Sequence, residues 1–254
     1  MKNILITGGT GFIGRKLCIF CLKNNYRVFC LDFKDDKNIF IKNTKKKFKK
    51  KFIYFQCNLE NYSEIKSFIK EIKKYGRIDS IVNNAAITGD SFKSGWNTNF
   101  QNQTYINFDR ALKVNLLSIF EICKGLKDSL TKSRSPSIIN ISSIYSTLAH
   151  DKSLYFGSKI YNPAAYSASK AGLNQLTRWM ASELSPKIRV NSISPGGIAR
   201  TQSKSFKKKY INKTLLKRMA KEEDIINLII FLSSEKSSYI TGENITIDGG
   251  YSIK

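Results

Sequence analysis

Short apolar runs bounded by turn residues alternate along this chain with longer segments whose apolar positions recur every three to four residues. The first run, NILIT at residues 3–7, predicts a strand, and FIGRKLCIFCLK behind it predicts a helix. RVFCL, ending at Asp32, and KFIYFQ predict the second and third strands. Over residues 62–75, Ile65, Phe68, Ile69, Ile72 and Tyr75 fall on one helical stripe, closed by Gly76. DSIVN predicts a fourth strand running into Asn83-Asn84-Ala85-Ala86, and the polar residues 87–107 read as loop. A helix over roughly 108–131 follows, then SIINIS and KIRVNSIS as further strands. A terminal helix near 222–234 opens with Glu222, Glu223 and Asp224, which suit its dipole, and ENITID is the last strand. Strands separated by helices throughout predict an α/β fold, a doubly wound parallel sheet with helices on both faces and ligands at the strands' carboxyl ends. No linker or repeat breaks the pattern, so residues 1–254 are expected to form a single domain.

The longest helical pattern carries the first candidate chemistry. Asn162 before Pro163 predicts an N-cap followed by the first helical residue, and AAYSASKAGLNQLTRWMASEL then runs without a breaker until Pro186. Tyr166 and Lys170, four apart, share one face of that helix. An ammonium beside a phenol favours the phenolate, as a proton-transfer catalyst requires. The YxxxK spacing recurs at Tyr155 and Lys159, nearer to Ser143. Gly157 weakens a helix there and Pro163 would stop it, so Tyr166 is the preferred candidate. Tyr155 is left either to a substrate pocket or to an exposed loop.

At the other end of the chain, Gly9, Gly11 and Gly14 spell GxGxxG between the first strand and the first helix. In that context the glycines permit a tight turn and close approach of a pyrophosphate, whose charge meets the helix N-terminus. Asp32 follows Gly14 by 18 residues at a strand end. A carboxylate there can accept both ribose hydroxyls of NAD and repels a 2′-phosphate, while Lys34 keeps NADP as the lesser option. Small residues at 83–86 would let a ligand approach the backbone. Asn115, inside ALKVNLLSIF, needs a partner; capping a bulge within the helix is the structural alternative to a functional role. Ser143 is delivered at the carboxyl end of SIINIS.

Composition narrows the reading. His150 is the only histidine, which nearly excludes a His-based metal site or a Ser-His-Asp triad, and no metal is expected. The five cysteines are odd in number, and the Cys18–Cys21 pair lies in an apolar helical pattern, so buried packing is expected. No apolar run can span a bilayer, and MKNILITGGTGFIG lacks a signal peptide's core; a cytoplasmic protein without membrane contact is expected. The net charge of +24 comes largely from two acid-free runs, residues 42–51 and 204–218. The first reads as a solvated loop. The second falls where a substrate lid would lie and suits an anionic substrate.

Taken together and in order, these landmarks resemble the short-chain dehydrogenase/reductase family from residue 4 to residue 250. They are TGGTGFIG, Asp32, NNAA at 83–86, Asn115, Ser143 in IINISS, YSASK at 166–170, RVNSISPGG at 189–197 and SSYITGENITIDGG. The resemblance implies a Rossmann fold and hydride transfer between NAD(P) and a secondary alcohol or ketone, with NAD preferred. It implies Tyr166 as general acid/base, Lys170 on the nicotinamide ribose, Ser143 on the substrate oxygen, and Asn115 supporting a proton-relay water. It implies cofactor contacts from Gly8, Thr10, Gly11, Phe12, Ile13 and Gly14 at the first turn. Further contacts are implied from Asp32, Asn58 and Leu59, from Asn84, Ala85 and Ala86, and from Pro195, Gly196 and Ile198. Family members assemble as dimers or tetramers through the helices matching 108–131 and 163–184, so a homodimer or homotetramer is expected.

Two features depart from the single-domain members of the family. Gly11 follows the glycine spacing of the extended, sugar-nucleotide branch, although the remaining landmarks do not. Ser143 and Tyr166 are 23 residues apart, more than is usual, so the intervening segment holds an insertion. That insertion, with SPGGIARTQ, is loosely similar to a subgroup found with flagellin-glycan and nonulosonate sugar biosynthesis, which implies a phosphorylated or nucleotide-linked sugar as substrate. Two alternatives accompany this reading. One is a sugar epimerase or dehydratase that keeps its NAD; the other is a cofactor-sensing protein docking on nucleic acid through the basic runs, for which the Ser143, Asn115, Tyr166 and Lys170 set has no use.

Overall fold

Seven parallel strands lie side by side in the order β3-β2-β1-β4-β5-β6-β7. The structure, a computed structural model, describes residues 1–35, 37–88, 94–155 and 161–254. The strands are β1 (Asn3–Thr7), β2 (Arg27–Asp32), β3 (Phe52–Gln56), β4 (Ser80–Asn83), β5 (Ser137–Ile141), β6 (Arg189–Pro195) and β7 (Asn244–Ile247). Strand order reverses direction between β1 and β4, which leaves a crevice at their carboxyl ends.

Side chains of each strand alternate between two cores. Leu5, Phe29, Ile81, Ile138 and Val190 point to one face. Helices α3 (Tyr62–Lys73), α5 (Ser118–Leu130) and α7 (Ala164–Leu184) cover it with Ile65, Phe68, Ile122, Leu126, Leu173 and Met180. Ile4, Ile6, Val28, Val82, Ile139 and Ile193 point to the other face. There α1 (Phe12–Lys23), α2 (Ile39–Phe48) and α9 (Glu222–Leu232) supply Leu17, Cys18, Ile41, Ile225 and Ile229. Each such side chain contributes roughly 1.5–3 kcal/mol by burial, so strand register is tied to both cores at once. All five cysteines are free and buried, consistent with packing. Among the described residues no helix is long and apolar enough to cross a membrane.

Three sequence expectations need correcting. The basic run 42–51 is not loop: α2 takes most of it and a 3-10 turn, Lys49–Lys51, the rest. Only Ile41 and Thr44 of α2 are buried, so its apolar signal is thin. The helix expected over 108–131 starts earlier, as α4 (Tyr105–Leu112), and passes through a π-helical turn, Lys113–Leu117, before α5. Asn162 does not cap α7. Pro163 holds the cap position, and Gln103, 61 residues away, accepts the Ala164 N–H through Oε1 at 2.8 Å. The insertion forms a 3-10 turn, Ile144–Ser146, and a short helix α6 (Lys152–Tyr155); Gly157 and Lys159 lie outside the described residues. The second basic run carries α8 (Lys204–Lys213).

Candidate active site

The glycine turn after β1 is shaped by close backbone contacts. Gly8 has φ +64°, and a Cβ there would come within 2.7 Å of the Ala85 Cα. A Cβ on Gly14 would lie 2.1 Å from the Gly8 carbonyl oxygen, so this glycine lets α1 settle onto the turn. Thr7 Oγ1 accepts the N–H groups of Asn84 and Ala85, both at 3.0 Å, which ties the ends of β1 and β4 together. Thr10 N donates to Asp32 Oδ2 at 2.9 Å, fixing the buried carboxylate at the end of β2. No side chain caps α1 at Gly11, and its first turn holds no acidic residue. Its leading amides are therefore open to an anion.

A cavity of about 870 Å³ spans the crevice. Gly8, Thr10, Gly11, Phe12 and Ile13 form one wall; Asp32, Lys34, Asn58 and Leu59 line its β2–β3 end. Asn84, Ala85 and Ala86 lie at the middle, and Ser143, Tyr166, Lys170, Pro195, Gly196 and Ile198 line the far end. Gly14 and Asn115, both expected in the site, do not line it. Gly14 acts by packing, as above. Asn115 is fully buried in the π-helical turn: Oδ1 accepts Ile87 N at 2.8 Å, and Nδ2 donates to Ile87 O at 3.1 Å and Ser169 Oγ at 3.0 Å. It staples the turn to the segment after β4 and to α7.

At the far end, β5 stops at Ile141 and Ser143 begins a 3-10 turn, its Oγ accepting the Tyr145 N–H at 3.2 Å. Tyr166 stands in the first turn of α7, packed against a small cluster of Trp96, Ala111 and Ala165. Lys170 is 2% exposed, its Nζ donating to Ile141 O at 2.6 Å and lying 5.9 Å from the Tyr166 ring centroid. Burial pushes this ammonium down from its ordinary 10.5 to about 7. Tyr155, the rival, does not line the cavity. It meets Tyr145 by a 3.3 Å hydroxyl contact and packs on Phe206 of α8. The insertion thus braces α8: Asp151 pairs with Lys213, and Tyr251 stacks on Tyr210 at 4.8 Å. Tyr210 in turn accepts the Gly197 N–H at 2.5 Å, so the brace reaches the segment carrying Gly196 and Ile198.

Several lining residues escape sequence reasoning. Arg110 of α4 pairs with Glu60, Nε to Oε2 at 2.6 Å, along the wall near Leu59. Trp96, Arg200 and Gln202 also line the cavity. Arg200 and Gln202 fall in the SPGGIARTQ stretch noted above, whereas Trp96 and Arg110 belong to no short motif. Only the odd placement of Trp96 in a polar stretch could have drawn notice; the half-buried Arg110–Glu60 pair joins residues 50 apart and leaves no local signal.

The site suits a dinucleotide on its own evidence. The Thr10 hydroxyl is buried without a partner, the α1 amides are open, and the Asp32 carboxylate is held at the β2–β3 end. Such a parallel sheet, with its ligand crevice at the strand-order switch, defines a Rossmann-type fold with room for a dinucleotide. A family model described as enoyl-(acyl carrier protein) reductase matches residues 11–252. The chain is 34% identical to a 3-oxoacyl-(acyl-carrier-protein) reductase of Buchnera aphidicola, over 98% of this chain and 96% of that protein. A short chain dehydrogenase of Leptospira borgpetersenii, solved with bound NAD+, superposes with a TM-score of 0.86 at 33% identity, covering 98% of this chain and 92% of that one. A 4-hydroxyisoleucine dehydrogenase complexed with NADH gives 0.86 at 27% identity, covering 100% of both. This chain belongs to the short-chain dehydrogenase/reductase family, and it is an oxidoreductase of that family.

Proposed function

We propose that the protein moves a hydride between the nicotinamide of NAD and the carbon of a secondary alcohol or ketone. The observation that carries this reading is the meeting of Ser143, Tyr166 and Lys170 at the end of the cavity remote from Asp32, with the glycine turn between them. When bound, the nicotinamide accepts or supplies the hydride. Tyr166 takes the hydroxyl proton when the alcohol is oxidised and returns it when the ketone is reduced. Ser143 and Tyr166 hold the substrate oxygen as its charge develops. Lys170 lends its positive charge to the phenol and would hold the nicotinamide ribose, while Asn115 keeps the neighbouring backbone in place. Asp32 would accept the adenosine ribose hydroxyls, which supports NAD over NADP although Lys34 stands beside it.

Lysines of α8 with Arg200 favour an anionic substrate, such as a phosphorylated or nucleotide-linked sugar. The likeness to 3-oxoacyl-(acyl-carrier-protein) reductases supports a second substrate reading, a 3-oxoacyl thioester, through the same hydride step. Exposed Tyr105, Ile106, Leu117 and Trp179 on α4, the π-helical turn and α7 support assembly through these helices. The test is nicotinamide absorbance with phosphorylated and nucleotide-linked sugars in one direction and acetoacetyl thioesters in the other. Tyr166→Phe should lower turnover by about two orders of magnitude or more while NAD binding persists. Loss in Tyr155→Phe with Tyr166→Phe active would overturn the assignment. Product formation without net change in nicotinamide absorbance would point to an epimerase or dehydratase.

A further inference from the structure

We propose that Tyr210 is a positioning residue for the nicotinamide end of the cofactor, its hydroxyl fixing the segment after β6 that walls the cavity there. The proposal rests on the dinucleotide reading above. Pro195, Gly196 and Ile198 line the cavity alongside Ser143, Tyr166 and Lys170. Their backbone is stitched down at several points: Gly196 N donates to Ile247 O of β7 at 3.0 Å, Ala199 N donates to Ala220 O at 2.9 Å, and Gly197 O accepts Ala220 N at 3.0 Å. The Gly197 N–H between them goes instead to a side chain, Tyr210 Oη, at 2.5 Å. A phenol from α8 thus takes the place of a backbone carbonyl in setting this wall.

Close packing makes the contact specific. A Cβ on Gly196 would lie 2.7 Å from Tyr210 Oη, and one on Gly197 would lie 2.7 Å from Cζ of the same ring, so the glycine pair gives the ring its seat against the backbone. Tyr210 is buried and does not itself line the cavity, so it acts through the backbone rather than on a ligand. Its ring is held from behind: Tyr251 stacks on it with planes 9° apart, and Phe206 of α8 lies 6.1 Å away. Leu154 of α6 and Met219 complete the cluster. Tyr251 donates its hydroxyl to Asp151 Oδ2 at 3.3 Å, the carboxylate that also holds Lys213 of α8. The helix whose lysines suit an anionic substrate therefore also sets the cofactor wall.

Calorimetric titration with NAD and with ADP-ribose, which lacks the nicotinamide, tests the proposal in wild type, Tyr210→Phe and Tyr251→Phe. Tyr210→Phe keeps the ring and leaves the Gly197 N–H without its acceptor. NAD should then bind about fivefold or more weaker, while ADP-ribose stays within about twofold of wild type. Tyr251→Phe keeps the stack and gives up only the Asp151 contact, so both affinities should stay within about twofold. Unchanged NAD affinity in Tyr210→Phe overturns the proposal. So does an equal loss for both ligands, the mark of a general folding defect, or an equal loss of NAD affinity in Tyr251→Phe, the mark of packing alone. If the wild type binds neither ligand, the dinucleotide reading itself has failed.

Discussion

Replacing Lys170 with methionine should stabilise the ligand-free protein while abolishing its activity. The side chain is 2% exposed, and its ammonium leans on the carbonyl of Ile141 at 2.6 Å. Burial moves its pKa from 10.5 to about 7, a displacement equivalent to about 5 kcal/mol when the group is charged in both states. Methionine keeps an unbranched stem of similar length and removes the charge. Ile141 O then loses its partner, at about 1–2 kcal/mol, and relaxation around the ammonium trims the gain further. The expected net is about 2–3 kcal/mol at pH 6, or roughly 5–10 °C in Tm for a chain of this size. The sign of the pH dependence follows from the folded pKa lying below the unfolded one. Between about pH 7 and 10.5 the unfolded chain holds a proton that the folded chain does not, so the wild type gains stability as pH rises there. The advantage of Lys170→Met should therefore shrink by about 2–3 kcal/mol between pH 6 and pH 9. Thermal unfolding followed by circular dichroism at both pH values measures this, because other titrating groups cancel between the two proteins. A lower Tm for the variant at pH 6, or an advantage independent of pH, would refute the reasoning.

Asp32→Ala should cost at least about tenfold in the preference for NAD over NADP, read as the ratio of kcat/KM values, by removing the carboxylate that repels a 2′-phosphate; unchanged selectivity would remove that role. Gly14→Ala should destabilise the protein by more than about 2 kcal/mol and weaken NAD binding, because its Cβ would fall 2.1 Å from a backbone oxygen that cannot swing aside. Chemical denaturation checks the first part and titration with NAD the second.

How far the chain could be read before folding depends on the range of the forces involved. Strand and helix alternation, the glycine turn and the strand-end Asp32 are local patterns, because a strand's period and a turn's steric demands are written in neighbouring residues. The basic run at 42–51 misled for the same reason: a helix burying only Ile41 and Thr44 leaves almost no period to detect. Partner choice lay beyond sequence. Gln103 reaching Ala164, Asn115 clasping Ile87, Glu60 pairing Arg110 and Arg200 lying on Phe12 each join segments that only the parallel crossovers bring together. The YxxxK spacing set Lys170 on the face of Tyr166, but its enclosure comes from β5 and α7 closing around it. Local periodicity determines the elements. Desolvation, and with it the chemistry of Lys170, is decided by everything packed around the residue.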